Sequence, residues 1–149
     1  MDSKVENKPR AVGGCLCGKV RFEIHGELLP IINCHCSKCR RFHGNFSAYS
    51  ATSRENLVFT RSDSLKWYRS ILDETPDVYR GFCRECGCSL FWDPRGKMNI
   101  SIAAGSLDPP TELTTTRRVC VSQKGDYYTI HDNFPQHEEK FARTDGENR

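Results

Sequence analysis

The sequence contains no long apolar segment. Its apolar stretches are short, and none reaches the roughly 18 residues that a membrane-spanning helix needs. Residues Met1–Arg10 are polar and lack the apolar centre that a secretory signal peptide carries. These absences predict a soluble, cytoplasmic protein with no membrane partner.

The chain also has little excess of charge of either sign. It carries 22 Lys and Arg against 19 Asp and Glu, which gives a formal net charge of +3 at pH 7. The basic residues are scattered among the acidic ones, a pattern that is typical of a solvated surface. We therefore do not expect nucleic acid as a partner.

Helical periodicity is scarce in this sequence. One short helix is indicated after Ser37, covering Lys38–Phe42. Strands are indicated instead by alternating apolar and polar residues, as in Val20–Ile24 and at Val119 and Val121. Turn-forming Asp, Pro and Gly residues separate these short runs. We expect one mainly β domain of packed antiparallel sheets with few short helices.

Cysteine is what the sequence has in abundance. Seven of its nine cysteines fall into three short clusters. These clusters are Cys15-Leu-Cys17, Cys34-His-Cys36-Ser-Lys-Cys39 and Cys83-Arg-Glu-Cys86. Clustered thiols in a reducing compartment favour metal binding over disulfides. We expect two zinc ions per chain, which would stabilise the fold.

Two of the clusters together supply the four thiolates of a closed metal site. The predicted ligands are Cys15, Cys17, Cys83 and Cys86. Gly18 and Gly87 directly follow the two clusters, and glycine lets the chain turn with positive φ beside the sulfurs. A closed site of four thiolates is of the structural kind.

The third cluster supplies three sulfurs, from Cys34, Cys36 and Cys39. Three protein ligands leave the fourth position of zinc for a substrate, which is the geometry of a catalytic site. Three thiolates also make the site anionic and soft, so it suits an incoming thiol better than the generation of hydroxide. Alternatively, a fourth protein ligand closes the site and makes it structural. The candidates for that ligand are His35, His43, Cys88 and Cys120.

Residues beside the open site are candidates for handling substrate and protons. Arg40 and Arg41 either bind a substrate carboxylate through their guanidinium groups or are surface charges. His35 and His43 are candidate acid–base groups because imidazole titrates near neutral pH.

Four further residues have a structural interpretation, and for two of them a role at the substrate site is the alternative. Gly44 and Phe46 either line the substrate region or serve as a turn and a core residue. Cys88 and Cys120 belong to no cluster and are expected to behave as small buried hydrophobes.

Four segments of the chain resemble the glutathione-dependent formaldehyde-activating enzyme family, also called the GFA or CENP-V family. They are Gly14–Val20, Cys34–Arg41, Gly81–Gly87 and Ile102–Asp108. The resemblance runs from about Gly13 to Phe141. We therefore expect a zinc domain over residues 13–141, between flexible tails at 1–12 and 142–149.

The resemblance implies a β-tent fold, structural zinc on the four-cysteine set and catalytic zinc on Cys34, Cys36 and Cys39. It also implies a carbon–sulfur lyase that joins glutathione and formaldehyde into S-hydroxymethylglutathione, or one that acts on a related thiol–aldehyde adduct. The alternative is a non-catalytic zinc domain that binds a protein, cytoskeletal or chromatin partner.

Overall fold

The computed structural model describes residues 8–139 of the chain. Within this range the elements in chain order are β1 Ala11–Gly14, β2 Arg21–Ile24, β3 Ile31–Cys34, α1 Ser37–His43, β4 Ser47–Ser53, β5 Leu57–Arg61, β6 Leu65–Arg69, β7 Val78–Cys83, β8 Ser89–Pro94, β9 Asn99–Ala103 and β10 Thr115–Val119. Three short 3-10 turns cover Arg54–Asn56, Ala104–Ser106 and Val121–Gln123. No helix in the described range is both long and apolar enough to cross a membrane.

The strands form two sheets, which confirms the expected mainly β class. The larger sheet has seven strands in the order β10-β3-β4-β9-β8-β7-β6, and the smaller has three in the order β1-β2-β5. Neighbouring strands are antiparallel in both sheets, apart from β10, which pairs with β3 in parallel. The expected antiparallel pairing holds elsewhere, and β10 is parallel because it is reached by a long connection from β9 rather than by a hairpin.

The two sheets pack against each other through aromatic rings. The ring of Phe91 on β8 lies 5.2 Å from that of Phe22 on β2 and 5.6 Å from that of Phe59 on β5. Phe22 and Ile24 are buried in this core, as the alternation of Val20–Ile24 predicts. The smaller sheet is thereby held by the apolar face of β2, and the other face of β2 meets solvent.

The opposite face of the larger sheet carries different residues. Cross-strand partners point to the same side of a sheet. The register pairs Cys34 with Ser47, Tyr49 with Ala103, and Trp92 with both Ser101 and Arg80. Cys34, Tyr49, Trp92 and Arg80 therefore lie on one face, which we call the helix face because α1 lies on it.

Local predictions hold for the helix and differ at two strand ends. The helix predicted over Lys38–Phe42 is present as α1. Val121 lies in a 3-10 turn, because Cys120 takes a left-handed conformation at φ 55° and ends the strand at Val119. Strand β1 begins at Ala11, inside the tail predicted over 1–12, because it pairs with β2 from Ala11 onward. Residues 1–7 of that tail and the tail predicted over 142–149 lie outside the described residues.

A substitution at Gly81 tests how tightly the rings on the core face of the larger sheet are packed. A Cβ at Gly81 would lie 2.8 Å from a ring carbon of Trp67 and 3.0 Å from one of Phe91. We expect Gly81→Ala to lower the free energy of unfolding by about 1–3 kcal/mol, because the rings must shift. Gly105→Ala is the control, since a Cβ there meets nothing within 4 Å. Equal losses in urea unfolding of the metal-loaded variants would contradict this packing.

Candidate metal centres

Four of the clustered cysteines converge from two distant turns. Cys15 and Cys17 lie in the turn between β1 and β2, whereas Cys83 ends β7 and Cys86 lies in the turn before β8. The sulfur of Cys17 lies 3.6 Å from that of Cys15 and 3.7 Å from that of Cys83, which is 66 residues away in sequence. All four sulfurs lie within 4.8 Å of one another. We call this group the four-cysteine site.

The backbone of both turns is shaped around the sulfurs. Gly18 and Gly87 adopt φ values of 79° and 73°, as their positions after the cysteine pairs predict. The N–H of Val20 donates to the Cys15 sulfur over 3.2 Å. Backbone N–H groups of this kind stabilise a thiolate, and a tetrahedral ion with sulfur ligands needs sulfurs roughly 3.8 Å apart. The spacing and the donor set of this site therefore fit a thiolate-bound metal ion.

The remaining three clustered cysteines form the three-cysteine site, at the junction of β3 and α1. Cys34 is the last residue of β3, Cys36 caps the N-terminus of α1, and Cys39 lies in its first turn. The Cys39 N–H donates to the Cys36 sulfur over 3.3 Å. All three sulfurs lie within 4.8 Å of one another, and Cys34 and Cys39 are buried.

The close spacing of these three thiols shifts their pKa values in different directions. The thiols of Cys34 and Cys39 lower the pKa of Cys36, because they act as donors to its thiolate. The neighbouring Cys34 and Cys36 raise the pKa of Cys39. One sulfur is thus readily ionised, whereas ionising all three requires a cation between them. The three sulfurs could therefore hold a metal ion.

No fourth side chain of suitable type joins the three sulfurs within residues 8–139. Of the candidates for a fourth ligand, Cys88 packs against the core between the sheets. Cys120 packs against Cys34 and Cys39, but its sulfur is outside the group that shares the 4.8 Å spacing.

His35 is fully buried, and both nitrogens of its ring are engaged. Its Nε2 lies 3.1 Å from Nη1 of Arg118, and its Nδ1 lies 3.0 Å from Oη of Tyr128. An arginine can only donate, so Nε2 accepts and Nδ1 carries the proton that is donated to Tyr128. Burial, and next the charge of Arg118, lower the pKa of His35 to about 4. The ring is therefore neutral near pH 7.

His43 is the last residue of α1 and lies one turn beyond Cys39. Positions four apart share a helix face, so His43 is on the side of the helix that carries Cys39. Its Nε2 lies 2.9 Å from the hydroxyl of Tyr49, whose side chain is buried on the helix face. The two side chains form a hydrogen-bonded pair beside the three-cysteine site.

The other predicted site residues are spread around α1. Arg41 is exposed, whereas Arg40 is half-buried, and its Nε has no hydrogen-bond partner within the described range. Gly44 ends the helix at φ 85°. The ring of Phe46 lies 5.1 Å from that of His35, so it packs beside the network of Arg118 and Tyr128 rather than beside His43.

The prediction from sequence missed three residues around the site: Tyr49, Arg80 and Arg118. Arg80 stands two positions after the buried Val78 on β7, so a charge occupies an inward position of the period-2 pattern. That pattern was a usable signal. Arg118 gave no local signal, because its contact with His35 depends on the parallel pairing of β10 with β3.

Removing one cysteine of the four-cysteine site should show what metal binding contributes to stability, apart from the packing of the core. Cys17 is exposed. Its substitution by Ser therefore removes a ligand without opening a cavity. We expect Cys17→Ser to hold one metal ion fewer than the wild-type chain and to lose more than about 3 kcal/mol of unfolding free energy. Elemental analysis and urea unfolding measure the two effects, with Cys88→Ser as the control that keeps its metal. A Cys17→Ser variant as stable as the control would contradict the four-cysteine site.

Known proteins resemble this chain over most of its described length. The family model described as Glutathione-dependent formaldehyde-activating enzyme matches residues 10–123. Relatives from Aspergillus flavus and Aspergillus oryzae, provisionally named as glutathione-dependent formaldehyde-activating enzymes, are each 38% identical over 98 residues. The match covers 63% of this chain and 47% of each relative, so the chain spans about half the length of these curated relatives.

A solved structure shares the fold. The crystal structure of a Rhodobacter sphaeroides protein matches with a TM-score of 0.53 and 28% sequence identity, over 70% of this chain and 99% of that one. Residues 10–123, which the family model matches, include both cysteine sites and α1. The chain therefore belongs to the glutathione-dependent formaldehyde-activating enzyme family.

Proposed function

We propose that the chain is a zinc-dependent carbon–sulfur lyase that acts on thiol–aldehyde adducts, with glutathione and formaldehyde as its substrates. One zinc ion would be held by the four-cysteine site as a structural element. A second would be held by Cys34, Cys36 and Cys39 at the reaction centre.

The observation that carries this proposal is the incomplete ligand set beside a hydrogen-bonded pair. Three sulfurs converge, and no fourth protein ligand joins them within the described residues. His43 lies on the side of α1 that carries Cys39, and it is hydrogen-bonded to Tyr49 on the helix face of the sheet. Zinc bound there would supply a soft Lewis acid that takes up a thiol sulfur at the fourth position and lowers its pKa.

The reaction itself moves one proton from sulfur to oxygen and forms one carbon–sulfur bond, while the π bond of the carbonyl group breaks. The substrate thiol loses its proton, its sulfur bonds to the carbonyl carbon, and the carbonyl oxygen becomes a hydroxyl. No electrons are gained or lost overall. A side chain must carry this proton to the carbonyl oxygen. We assign that role to the pair of His43 and Tyr49. His35 is not assigned this role, because both nitrogens of its buried ring are already hydrogen-bonded, to Arg118 and Tyr128.

Glutathione is the proposed thiol because of the family and of the names of the two Aspergillus relatives. Glutathione carries two carboxylates. Arg40 and Arg41 follow Cys39 directly on α1, and we assign to them the binding of a carboxylate through their guanidinium groups. Gly44 and Phe46, just after the helix, would border the same substrate region.

Removal of a ligand from the three-cysteine site should abolish turnover. We expect Cys36→Ser to reduce the rate of S-hydroxymethylglutathione formation, above the uncatalysed rate, by at least about 100-fold. The rate is followed by NMR with the zinc-loaded protein. Cys88→Ser, which changes a thiol outside both sites, should retain the wild-type rate. If wild type and Cys36→Ser react equally, the enzyme function fails for this substrate, and a non-catalytic zinc domain is favoured.

The proposed proton carrier is tested by removing one oxygen atom. Tyr49→Phe keeps the buried ring but removes the partner of His43. We expect it to lower kcat by about 100-fold, with the KM for glutathione little changed, because the proton is needed only as the new bond forms. Tyr68→Phe is the control, since Tyr68 is 48% exposed on β6. A Tyr49→Phe variant with wild-type kcat would contradict the assignment.

A further inference from the structure

Arg80 is the largest fully buried side chain of the described residues, and the reaction proposed above does not use it. It lies in the middle of β7 with 2% of its surface exposed. The register places it on the helix face, opposite Trp92 on β8 and on the same side as Cys34 and Tyr49. Arginine is rarely buried to this extent without specific partners.

The partners of Arg80 occupy one edge of its guanidinium group. Nε lies 3.2 Å from Oγ of Ser70, and Nη2 lies 3.1 Å from Oδ2 of Asp73. Nε and Nη2 point to the same edge of the planar group, so Nη1 points away from Asp73. Nη1 is buried and has no hydrogen-bond partner within residues 8–139. Most buried side-chain donors in proteins have a partner, so the unpaired Nη1 of Arg80 calls for an explanation.

The guanidinium group lies against the helix that carries the three-cysteine site. Its carbon lies 4.9 Å from the centre of the Phe42 ring, and Phe42 follows Cys39 by three residues on α1. Burial alone would lower the pKa of Arg80, but the charges of Asp73, Cys39 and Tyr49 raise it. Arg80 is thus a permanent cation in the electrostatic field of the site.

We infer that Arg80 is an electrostatic positioning residue for the three-cysteine site, where its buried guanidinium offsets the negative charge of the thiolates and of an anionic thiol bound beside them. The inference rests on the proposed function, because it assumes that a metal ion and a thiol occupy this site. Three thiolates around a divalent ion leave one negative charge, and a fourth thiolate doubles it. Asp73 pairs with one edge of the guanidinium group and carries the opposite charge. It therefore weakens the favourable effect of Arg80 on the negative charge of the site.

Four variants of the full chain separate charge from packing. Arg80→Lys keeps the charge but loses the planar group. The double variant Arg80→Met with Asp73→Asn removes both charges without leaving a buried carboxylate unpaired. Asp73→Asn alone removes the opposing charge. Arg95→Met is the control for loss of an exposed arginine, because Arg95 also lies over an aromatic ring, at 3.4 Å from that of Tyr79, and pairs with Asp93.

The measurement is retention of metal in zinc-loaded protein under competition with a chelator, together with the KM for glutathione. We expect the double variant to release the more labile ion at about tenfold lower chelator concentration and to show a raised KM. Arg80→Lys should stay within about threefold of wild type. Asp73→Asn should retain the ion more tightly than wild type. Arg95→Met, and the less labile ion in every variant, should be unchanged.

Each contrary result has a defined meaning. A folded double variant that retains its metal as well as wild type overturns the inference. An Arg80→Lys variant that retains metal as poorly as the double variant also overturns it, because the role of Arg80 would then be packing. If the double variant does not fold, Asp73→Asn decides alone, because a structural ion pair predicts no gain in metal retention. A wild-type chain that binds a single ion overturns the proposed function, whereas two ions with no effect of Arg80 overturn only this inference.

Discussion

The alternation of side chains along the central strands is the constraint on which the rest of the molecule depends. Phe91 and Trp92 are neighbours on β8, yet they serve opposite faces of the larger sheet. Phe91 meets the rings of the smaller sheet, and Trp92 lies beside Arg80 on the helix face. Because the period is two, one sheet can carry an apolar core on one side and a polar, sulfur-bearing site on the other.

The two cysteine sites differ in how the chain supports them. The four-cysteine site takes three of its cysteines from turns and Cys83 from the end of β7, and its members range from the buried Cys15 to the exposed Cys17. The three-cysteine site is built on the end of a strand and the first turn of a helix, with Cys34 and Cys39 buried. Regular elements hold a reacting geometry more rigidly than turns do. This difference supports a structural role for the first site and a chemical role for the second.

Features that depend on near neighbours in sequence could be predicted. The alternation at Val20–Ile24, the helix after Ser37 and the grouping of the cysteines follow from spacing and from the geometry of sulfur ligands. Features that depend on distant pairings could not. Arg118 reaches His35 only because β10 lies parallel to β3, and Arg80 comes to lie against Phe42 only when β7 joins the sheet under α1. No local pattern specifies which strands become neighbours.

The parallel strand β10 has a consequence for association between molecules. The strand that carries Cys34 would be the edge of the larger sheet if β10 were absent, and an exposed edge is a template for pairing with another chain. Instead β10 covers it, and the segment around Gln136 covers β10 in turn, with Arg118 bonded through its backbone to Pro135 and His137. The strand that carries Cys34 is therefore an interior strand of the sheet, without an unpaired edge at which a second copy of the chain could add a strand.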